Sequence, residues 1–266
     1  MLSKPVFRLL GLLGLSLAAV MPAQALVVEL GLRGSDAIWL AGRTDLVIPD
    51  ASQAWPDGLL RHGGPTPEEI KETLPPGFAV AAGDVVKVLD PASGGISFFN
   101  GFGGTVFGPE GNGVPGSSSI GPFGGISGYL GTQGALVGLF LNDDVPNGVA
   151  PARLDFSVSG LGTEFLSLSP GLGQVFFIGD GETASDVAQS FLTPTGATRL
   201  FIGITDAFGF NGAPGAFDDN DGAYRIRLGI NEDPRNPNPN PNPVPEPATL
   251  TLVALGLATI RWRRDR

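Results

Sequence analysis

An acidic segment near the C-terminal end of the chain has the residue types of a metal site. Asp206 directly follows the apolar run Arg199–Thr205, and residues 216–222 read Ala-Phe-Asp-Asp-Asn-Asp-Gly before a second apolar run begins at Tyr224. Carboxylate and amide oxygens are the hard ligands that Ca²⁺ takes in six- to eightfold coordination. A calcium site is therefore one interpretation of this connection between two predicted strands.

The acidic segment does not have the spacing of an EF-hand. With Gly222 as the turn glycine, the first ligand would be Phe217 and the closing glutamate would be Leu228, and neither side chain binds calcium. The alternative to a metal site is an Asx-rich hairpin turn, in which the acidic side chains accept hydrogen bonds from backbone N–H groups. Spacing alone leaves both interpretations open.

The elements that must position this segment are predicted to be β-strands. The chain has 41 glycines and 24 prolines, which separate short runs rich in Val, Ile and Phe. Such runs, with long polar connections, predict an all-β chain folded as an antiparallel β-sandwich. The predicted strands are Val27–Leu32, Ala37–Gly42, Phe78–Ala81, Val85–Leu89, Ile96–Phe99, Ala135–Leu141, Ala152–Val158, Gln174–Ile178, Arg199–Thr205 and Tyr224–Ile230.

One short helix is predicted in this otherwise β-rich body. Residues 66–69 read Thr-Pro-Glu-Glu, which combines a capping box with proline at the first helical position. Pro75 and Pro76 end the helix. We therefore predict a helix of about two turns near Glu68–Leu74.

The N-terminal residues have the pattern of a secretory signal peptide. Lys4 and Arg8 precede the apolar stretch Leu9–Val20, and Ala23 and Ala25 form an A-x-A cleavage site. We therefore expect a signal helix that signal peptidase removes after Ala25.

The C-terminal residues indicate a sorting signal. Val244, Pro245, Glu246 and Pro247 precede an apolar run of thirteen residues and then an arginine-rich tip. The order of motif, hydrophobic helix and basic end closely resembles the PEP-CTERM sorting signal of Gram-negative bacteria. The resemblance implies recognition by an exosortase at the inner membrane, in cells that produce exopolysaccharide. An ordinary tail anchor is the alternative, but thirteen helical residues span only about 20 Å of a ~30 Å hydrocarbon core.

These features divide the chain into five parts. We predict a signal peptide at 1–25, N-terminal strands and a short helix packed on the body at 26–79, and the main β-sandwich at 80–232. An alternating Asn/Pro linker follows at 233–243, and the sorting signal occupies 244–266. The linker should be an extended spacer, because polyproline-like segments rise ~3.1 Å per residue.

Charge and cysteine content exclude several classes of function. The whole chain has a formal charge of −10, and the two terminal segments hold six of its sixteen basic and two of its twenty-six acidic residues. The body is left at −14, so a phosphate backbone would be repelled and nucleic-acid binding is not expected. The chain has no cysteine and only one histidine, His62, which excludes thiolate sites and a His-rich zinc site.

Several short motifs between Val80 and Ile230 resemble the domain of the small calcium-dependent galactose-binding lectins of bacteria, which is a lectin-like or jelly-roll β-sandwich. The matching pieces are residues 82–86 (Ala-Gly-Asp-Val-Val), 108–111 (Gly-Pro-Glu-Gly), 134–137 (Gly-Ala-Leu-Val) and 219–224 (Asp-Asn-Asp-Gly-Ala-Tyr). The resemblance implies that calcium is bound by the side chains of Asp206, Asp219 and Asn220 and by the backbone carbonyl of Ala216. It also implies that Asp206 contacts the sugar.

The chain departs from this lectin pattern in three places. The loop between Asp206 and Asn220 is longer, and an insertion occupies roughly residues 142–171. The histidine and glutamine that contact the sugar in the lectins fall on Pro115 and Ser118. Weak affinity and a sugar other than galactose are therefore expected.

These patterns favour a non-enzymatic protein of the cell surface or extracellular matrix. We expect it to be anchored transiently in the inner membrane, to bind calcium and to contact extracellular polysaccharide weakly. The first alternative is a purely structural component of the biofilm matrix that binds no ligand. The second is a carbohydrate-active enzyme, which would need two carboxylates about 5–10 Å apart across a cleft.

Overall fold

The computed structural model describes residues 25–50, residue 55 and residues 71–234. Its regular structure is almost entirely β, as predicted, and is completed by short 3₁₀ helices at Ile38–Leu40, Phe99–Gly104 and Phe208–Phe210. The strands of this part of the chain are β1 (Leu26–Arg33), β2 (Gly77–Ala79), β3 (Val85–Ser97), β4 (Ser118–Ile120), β5 (Tyr129–Gly131), β6 (Leu136–Leu141), β7 (Ser167–Leu168), β8 (Val175–Phe177), β9 (Ser190–Leu192), β10 (Arg199–Ile204), β11 (Asn211–Gly212) and β12 (Asp221–Ile230).

The strands form three sheets. The five-stranded sheet has the order β1-β12-β3-β9-β7, the four-stranded sheet β2-β10-β6-β8, and the three-stranded sheet β11-β4-β5. Only the pairs β7–β9 and β11–β4 are parallel among these ladders. The arrangement is consistent with the predicted antiparallel sandwich.

The two larger sheets share one hydrophobic core. Strand β12 shows why, because the buried side chains of Tyr224, Ile226 and Leu228 alternate with exposed neighbours, as expected for a sheet with one face in the core. The ring of Phe176 in β8 lies 5.1 Å from that of Phe191 in β9, which joins the four-stranded sheet to the five-stranded one.

Residues of the segment 26–79 take part in both large sheets. Strand β1 pairs with β12 along all eight of its residues, and β2 pairs with β10. The 3₁₀ helix Ile38–Leu40 packs against β10 and β6. The acidic segment therefore connects β10 to β12, and each of these two strands has a hydrogen-bonded neighbour on both sides.

Three local predictions are corrected. Ala37–Gly42 is not a strand: Ile38, Trp39 and Leu40 are all buried, so the segment lacks the alternation of a strand and instead forms a 3₁₀ turn. Ala152–Val158 contributes only an isolated bridge at Asp155, whose carboxylate accepts the N–H of Ser157 (2.8 Å) and turns the chain.

The third correction concerns the short helix predicted near Glu68–Leu74. Its described part, Lys71–Leu74, is not helical, because Thr73 bridges to Asp36 and its N–H donates to the carbonyl of Ser35 (2.9 Å). The rest of that helix lies outside the described residues, as do the signal helix and the sorting helix.

Candidate metal site before strand β12

Asp206 lies just beyond the end of β10 and is almost completely buried, with 3% of its surface exposed. Its Oδ1 accepts the N–H of Ala207 (2.6 Å), and its Oδ2 accepts a hydrogen bond from Nδ2 of Asn220 (2.9 Å). Asp206 and Asn220, both predicted as ligands, are fourteen residues apart in the sequence and are in direct contact in the structure.

Asn220 immediately precedes β12 and is 1% exposed. Its Nδ2 also donates to the carbonyl of Gly34 (3.1 Å), at the turn that follows β1. The other atom of the amide, Oδ1, is buried and has no hydrogen-bond partner among the described residues. A buried oxygen of this kind carries a desolvation cost, which a ligand can remove.

Gly34 is the residue that lets the N-terminal segment approach Asn220. A Cβ at position 34 would lie 2.8 Å from Cβ of Asn220 and 3.1 Å from its backbone carbonyl carbon. This contact could not be read from the acidic motif, because it depends on the pairing of β1 with β12.

The remaining residues of the acidic segment are also buried. Asp218 is 0% exposed and Asp219 is 3% exposed, while Ala216 is 3% exposed and has a left-handed φ of 65°. The backbone carbonyl of Asp219 accepts the N–H of Asn100 (2.6 Å), and the ring of Phe217 lies 6.4 Å from that of Trp39. Asp218 was not predicted as part of the site, although its position next to Asp219 was a signal for it.

Burial raises the pKa of Asp206 well above its ordinary value. The negative charges of Asp219 and Asp218 raise the pKa further, whereas the hydrogen bonds from Asn220 and Ala207 lower it. The ionised form of Asp206 is therefore costly in this environment, and a cation placed beside it would reduce that cost.

The four predicted ligands lie in one buried region, where Asp206 and Asn220 touch and Asp219 acts on Asp206 electrostatically. No group of three or more His, Cys, Asp or Glu side chains in the described chain is spaced to hold a metal ion. The predicted set contains only two carboxylates, and its other oxygens come from an amide and a backbone carbonyl.

Exposed aromatic side chains border the acidic segment. Phe208 is 63% exposed and Phe99 is 43% exposed, and the ring of Phe99 lies 5.9 Å from that of Phe210. Phe99 and Phe210 both have positive φ, at 55° and 63°, which is uncommon for a bulky residue. We call Phe99, Phe208 and Phe210 the aromatic rim. Phe99 precedes Asn100, whose N–H donates to the carbonyl of Asp219, so the aromatic rim is linked directly to the acidic segment.

Residues of the lectin-like motifs form hydrogen bonds with backbone carbonyl groups of the fold. The hydroxyl of Tyr224 lies 2.8 Å from the carbonyl oxygens of both Gly108 and Gly134, so it ties two of the matching turns to β12. Ser118, which occupies a sugar-contacting position of the resembling lectins, is buried, and its hydroxyl donates to the carbonyl of Phe210 (3.2 Å).

A second acidic group lies away from this site. Oε1 of Glu110 accepts the N–H of Asp180 (2.8 Å). Burial, followed by the negative charges of Asp180 and Glu164, raises the pKa of Glu110 to about 7. Glu110 belongs to the Gly-Pro-Glu-Gly turn, which was recognised in the sequence only as one of the lectin-like motifs.

Residues 243–265 match the PEP-CTERM protein-sorting motif. This match supports export through a C-terminal sorting signal and processing by exosortase. The motif residues Val244, Pro245, Glu246 and Pro247 lie outside the described residues, and so does Ala23 of the predicted signal cleavage site. Ala25 is exposed and directly precedes β1.

The comparisons with curated proteins and with solved structures gave no match. The resemblance of the body to the lectin domain therefore remains an expectation from its short motifs. Within residues 25–50, 55 and 71–234, no helix is long and apolar enough to cross a membrane.

Proposed function

We propose that this exported protein is a non-enzymatic component of the cell surface or extracellular matrix, and that its acidic segment binds one Ca²⁺ ion. The ligands would be the side chains of Asp206, Asp219 and Asn220 and the carbonyl of Ala216. The observation that carries the proposal is the buried Oδ1 of Asn220, which has no hydrogen-bond partner among the described residues and belongs to a side chain in contact with Asp206.

Electrostatics supports a cation at this position. Asp206, Asp218 and Asp219 are each at most 3% exposed, and the last two raise the pKa of the first. Buried carboxylates that repel one another destabilise the fold unless a positive charge compensates them. Calcium fits such a mixed set of carboxylate, amide and carbonyl oxygens, because it accepts six to eight oxygen ligands in flexible geometry.

Burial of the ligands favours a structural role for the ion. Since Asn220 also holds the carbonyl of Gly34, calcium at Asn220 would stabilise the contact between the end of β1 and the start of β12. Sugar hydroxyls would reach an ion in this position only after the loop opens. The main role that we propose for calcium is therefore to stabilise the fold.

Weak glycan binding is the second candidate function, and the exposed aromatic rim is the observation that favours it. Phe208 and Phe99 present apolar ring surface beside the acidic loop, and apolar ring faces can pack against sugar rings. Single contacts of this kind are weak, but they add up on a repetitive polymer through avidity. The glycan would contact the rim beside the ion.

Calorimetric titration of the purified protein with Ca²⁺ tests the first proposal. We expect one site, and we expect little heat with Mg²⁺, which requires a tighter octahedral shell. A flat calcium titration of folded, chelator-treated protein would exclude the site.

A glycan array probed with and without EDTA tests the second proposal. We expect a signal that falls in the variant Phe208→Ala but remains in Val149→Ala, which removes another highly exposed apolar side chain, 98% exposed, from a different surface loop. Equal signals from the two variants, or no signal for any polysaccharide, would show that the aromatic rim does not bind glycan.

A further inference from the structure

The outer face of the five-stranded sheet contains a groove of about 380 Å³. The groove crosses the neighbouring strands β1, β12 and β3, and each of these strands contributes three of the residues that line it. Ligand pockets in proteins have volumes of about 300–1,000 Å³. This groove therefore has room for a small ligand or for part of a polymer chain.

One side of the groove is a row of three charged side chains. Arg227 in β12 lies opposite Glu29 in β1 and opposite Asp90 in β3. Its Nε is 3.4 Å from Oε1 of Glu29, and its Nη1 is 2.9 Å from Oδ2 of Asp90. Both carboxylates that line the groove are therefore paired with the same guanidinium group.

The next row along β12 is open. Arg225 lies opposite Gly31 in β1 and Ser93 in β3, and a Cβ at position 31 would meet no atom within 4 Å. Strand β3 also bulges here, because one residue more separates Asp90 from Ser93 than separates Arg225 from Arg227. Bulges often redirect side chains beside functional sites. The short neighbours and the bulge leave Arg225 beside open space.

Arg225 has no partner for its positive charge among the described residues. Its side chain is exposed and forms no hydrogen bond or ion pair with them. Arg33 lies on the same face, but its charge acts on Asp36. Arg225 is therefore the guanidinium group in this groove that is left to bind an anion.

We propose that the groove binds an acidic polysaccharide built from uronic acids, and that Arg225 pairs with the carboxylate of one sugar. A guanidinium group matches a carboxylate through two parallel hydrogen bonds. A carboxylate has about four lone-pair sites, so Glu29 and Asp90 can each accept a sugar hydroxyl while they remain paired with Arg227. The hydroxyl of Ser93 offers a further hydrogen bond on the opposite side of Arg225.

Other ligand classes fit the groove less well. A doubly charged phosphate group would be repelled more strongly by Glu29, Asp90 and the acidic body. A neutral sugar would leave Arg225 without a counter-charge. An acidic peptide offers a carboxylate but only one backbone donor per residue, whereas a sugar ring offers several hydroxyl donors to the acceptors around Arg225.

The proposed site is separate from the calcium site and from the aromatic rim. Its lining residues lie within β1, β3 and β12, and none of them belongs to the predicted calcium ligands or to the rim. The acidic body repels a polyanion at long range, but salt at physiological ionic strength screens charges beyond ~8 Å. Contact at Arg225 then governs binding, and a repetitive polymer strengthens it through avidity.

Calorimetric titration of the exported protein at physiological ionic strength tests the proposal. The probes are oligomers of galacturonic acid and of mannuronic acid, and EDTA is present throughout so that calcium plays no part. The methyl esters of the same oligomers are the matched controls, because they keep the rings and hydroxyls but lose the charge. We expect at least one of the acids to bind, and its ester to bind about tenfold more weakly or worse.

Substitutions in the groove should act on this binding and leave the fold intact. Arg225→Gln should weaken it about tenfold or more, because it removes a charge-assisted hydrogen-bonded pair. Arg153→Gln is the control, since it removes an exposed arginine that lies outside the groove and contacts Ser119. Gly31→Glu should weaken binding by a similar factor, because it places a competing carboxylate directly opposite Arg225 in unoccupied space.

Thermal melting followed by circular dichroism confirms that each variant is folded. Equal binding by Arg225→Gln and Arg153→Gln, equal binding of acid and ester, or no binding of either uronate would overturn the proposal. Binding of a glutamate oligomer as tightly as the uronates would also overturn it. Phe208→Ala should bind the uronates like the wild type, and a loss there would place the sugar at the aromatic rim instead.

Discussion

Asp206→Asn is the most informative substitution for the calcium proposal. The change keeps the size of the side chain and its acceptor for the N–H of Ala207, but it removes the charge at the end of β10 and the Oδ2 acceptor of the hydrogen bond from Asn220. A native state that binds calcium gains about 2.7 kcal/mol at one hundred times Kd. In a domain of this size, each kcal/mol corresponds to about 2–4 °C in melting temperature, so the wild-type protein should melt about 5–11 °C higher with calcium than with EDTA.

The assay is thermal melting of the purified protein in EDTA and in excess calcium, followed by circular dichroism. Asp206→Asn should show a calcium-dependent shift of less than about 1 °C, because the carboxylate that contacts Asn220 has lost its charge. Asp221→Asn is the matched control. It removes the same charge from the adjacent but exposed residue at the start of β12, and its shift should equal that of the wild type. If both variants respond alike, or the wild-type protein does not respond, the proposed ligand set is wrong.

Three further predictions concern packing, pH and export. Gly34→Ala should destabilise the fold by about 1–3 kcal/mol, because a Cβ at position 34 would lie 2.8 Å from that of Asn220. Gly31→Ala is the control and should not destabilise the fold, because a Cβ at position 31 meets nothing within 4 Å. Denaturant unfolding of the two variants measures the difference. The folded-state pKa of Glu110 is raised from 4.5 to about 7, so its contribution to stability is lost as pH rises from about 4.5 to 7. Glu110→Gln should therefore be more stable than the wild type at pH 8 by about 1–2 kcal/mol, allowing for partial exposure, and the two should converge at pH 4. Intact mass of the surface protein should show that the leader and the sorting tail have been removed.

Each of these predictions has an outcome that contradicts it. Equal unfolding curves for the two glycine variants would mean that the turn after β1 does not pack tightly on Asn220. A difference between Glu110→Gln and the wild type that does not change with pH would place the titrating group elsewhere. A surface species that retains residues 250–266 would contradict processing of the sorting signal.

Local patterns in the sequence were sufficient for the tail, the β-class and the ends of several strands. The order of motif, apolar run and basic tip is contiguous, so it can be recognised without a fold. The sequence from Tyr224 to Leu228 alternates apolar and charged residues, and this pattern matches the buried face of β12, because the side chains of a strand alternate wherever one face packs on a core. Asp206 was placed correctly beyond the end of β10, because the apolar run Arg199–Thr205 ends there.

The tertiary structure decided how deeply the acidic segment is buried and what it contacts. The hydrogen bond between Asn220 and Gly34 joins residues 186 positions apart, and it forms because β1 pairs with β12 in one particular register. Ala37–Gly42 has the composition of a strand, yet it is buried among β10 and β6, where a 3₁₀ turn fits better. A single sequence shows the periodicity within an element, whereas the contact between Asn220 and the turn after β1 depends on which elements become neighbours in space.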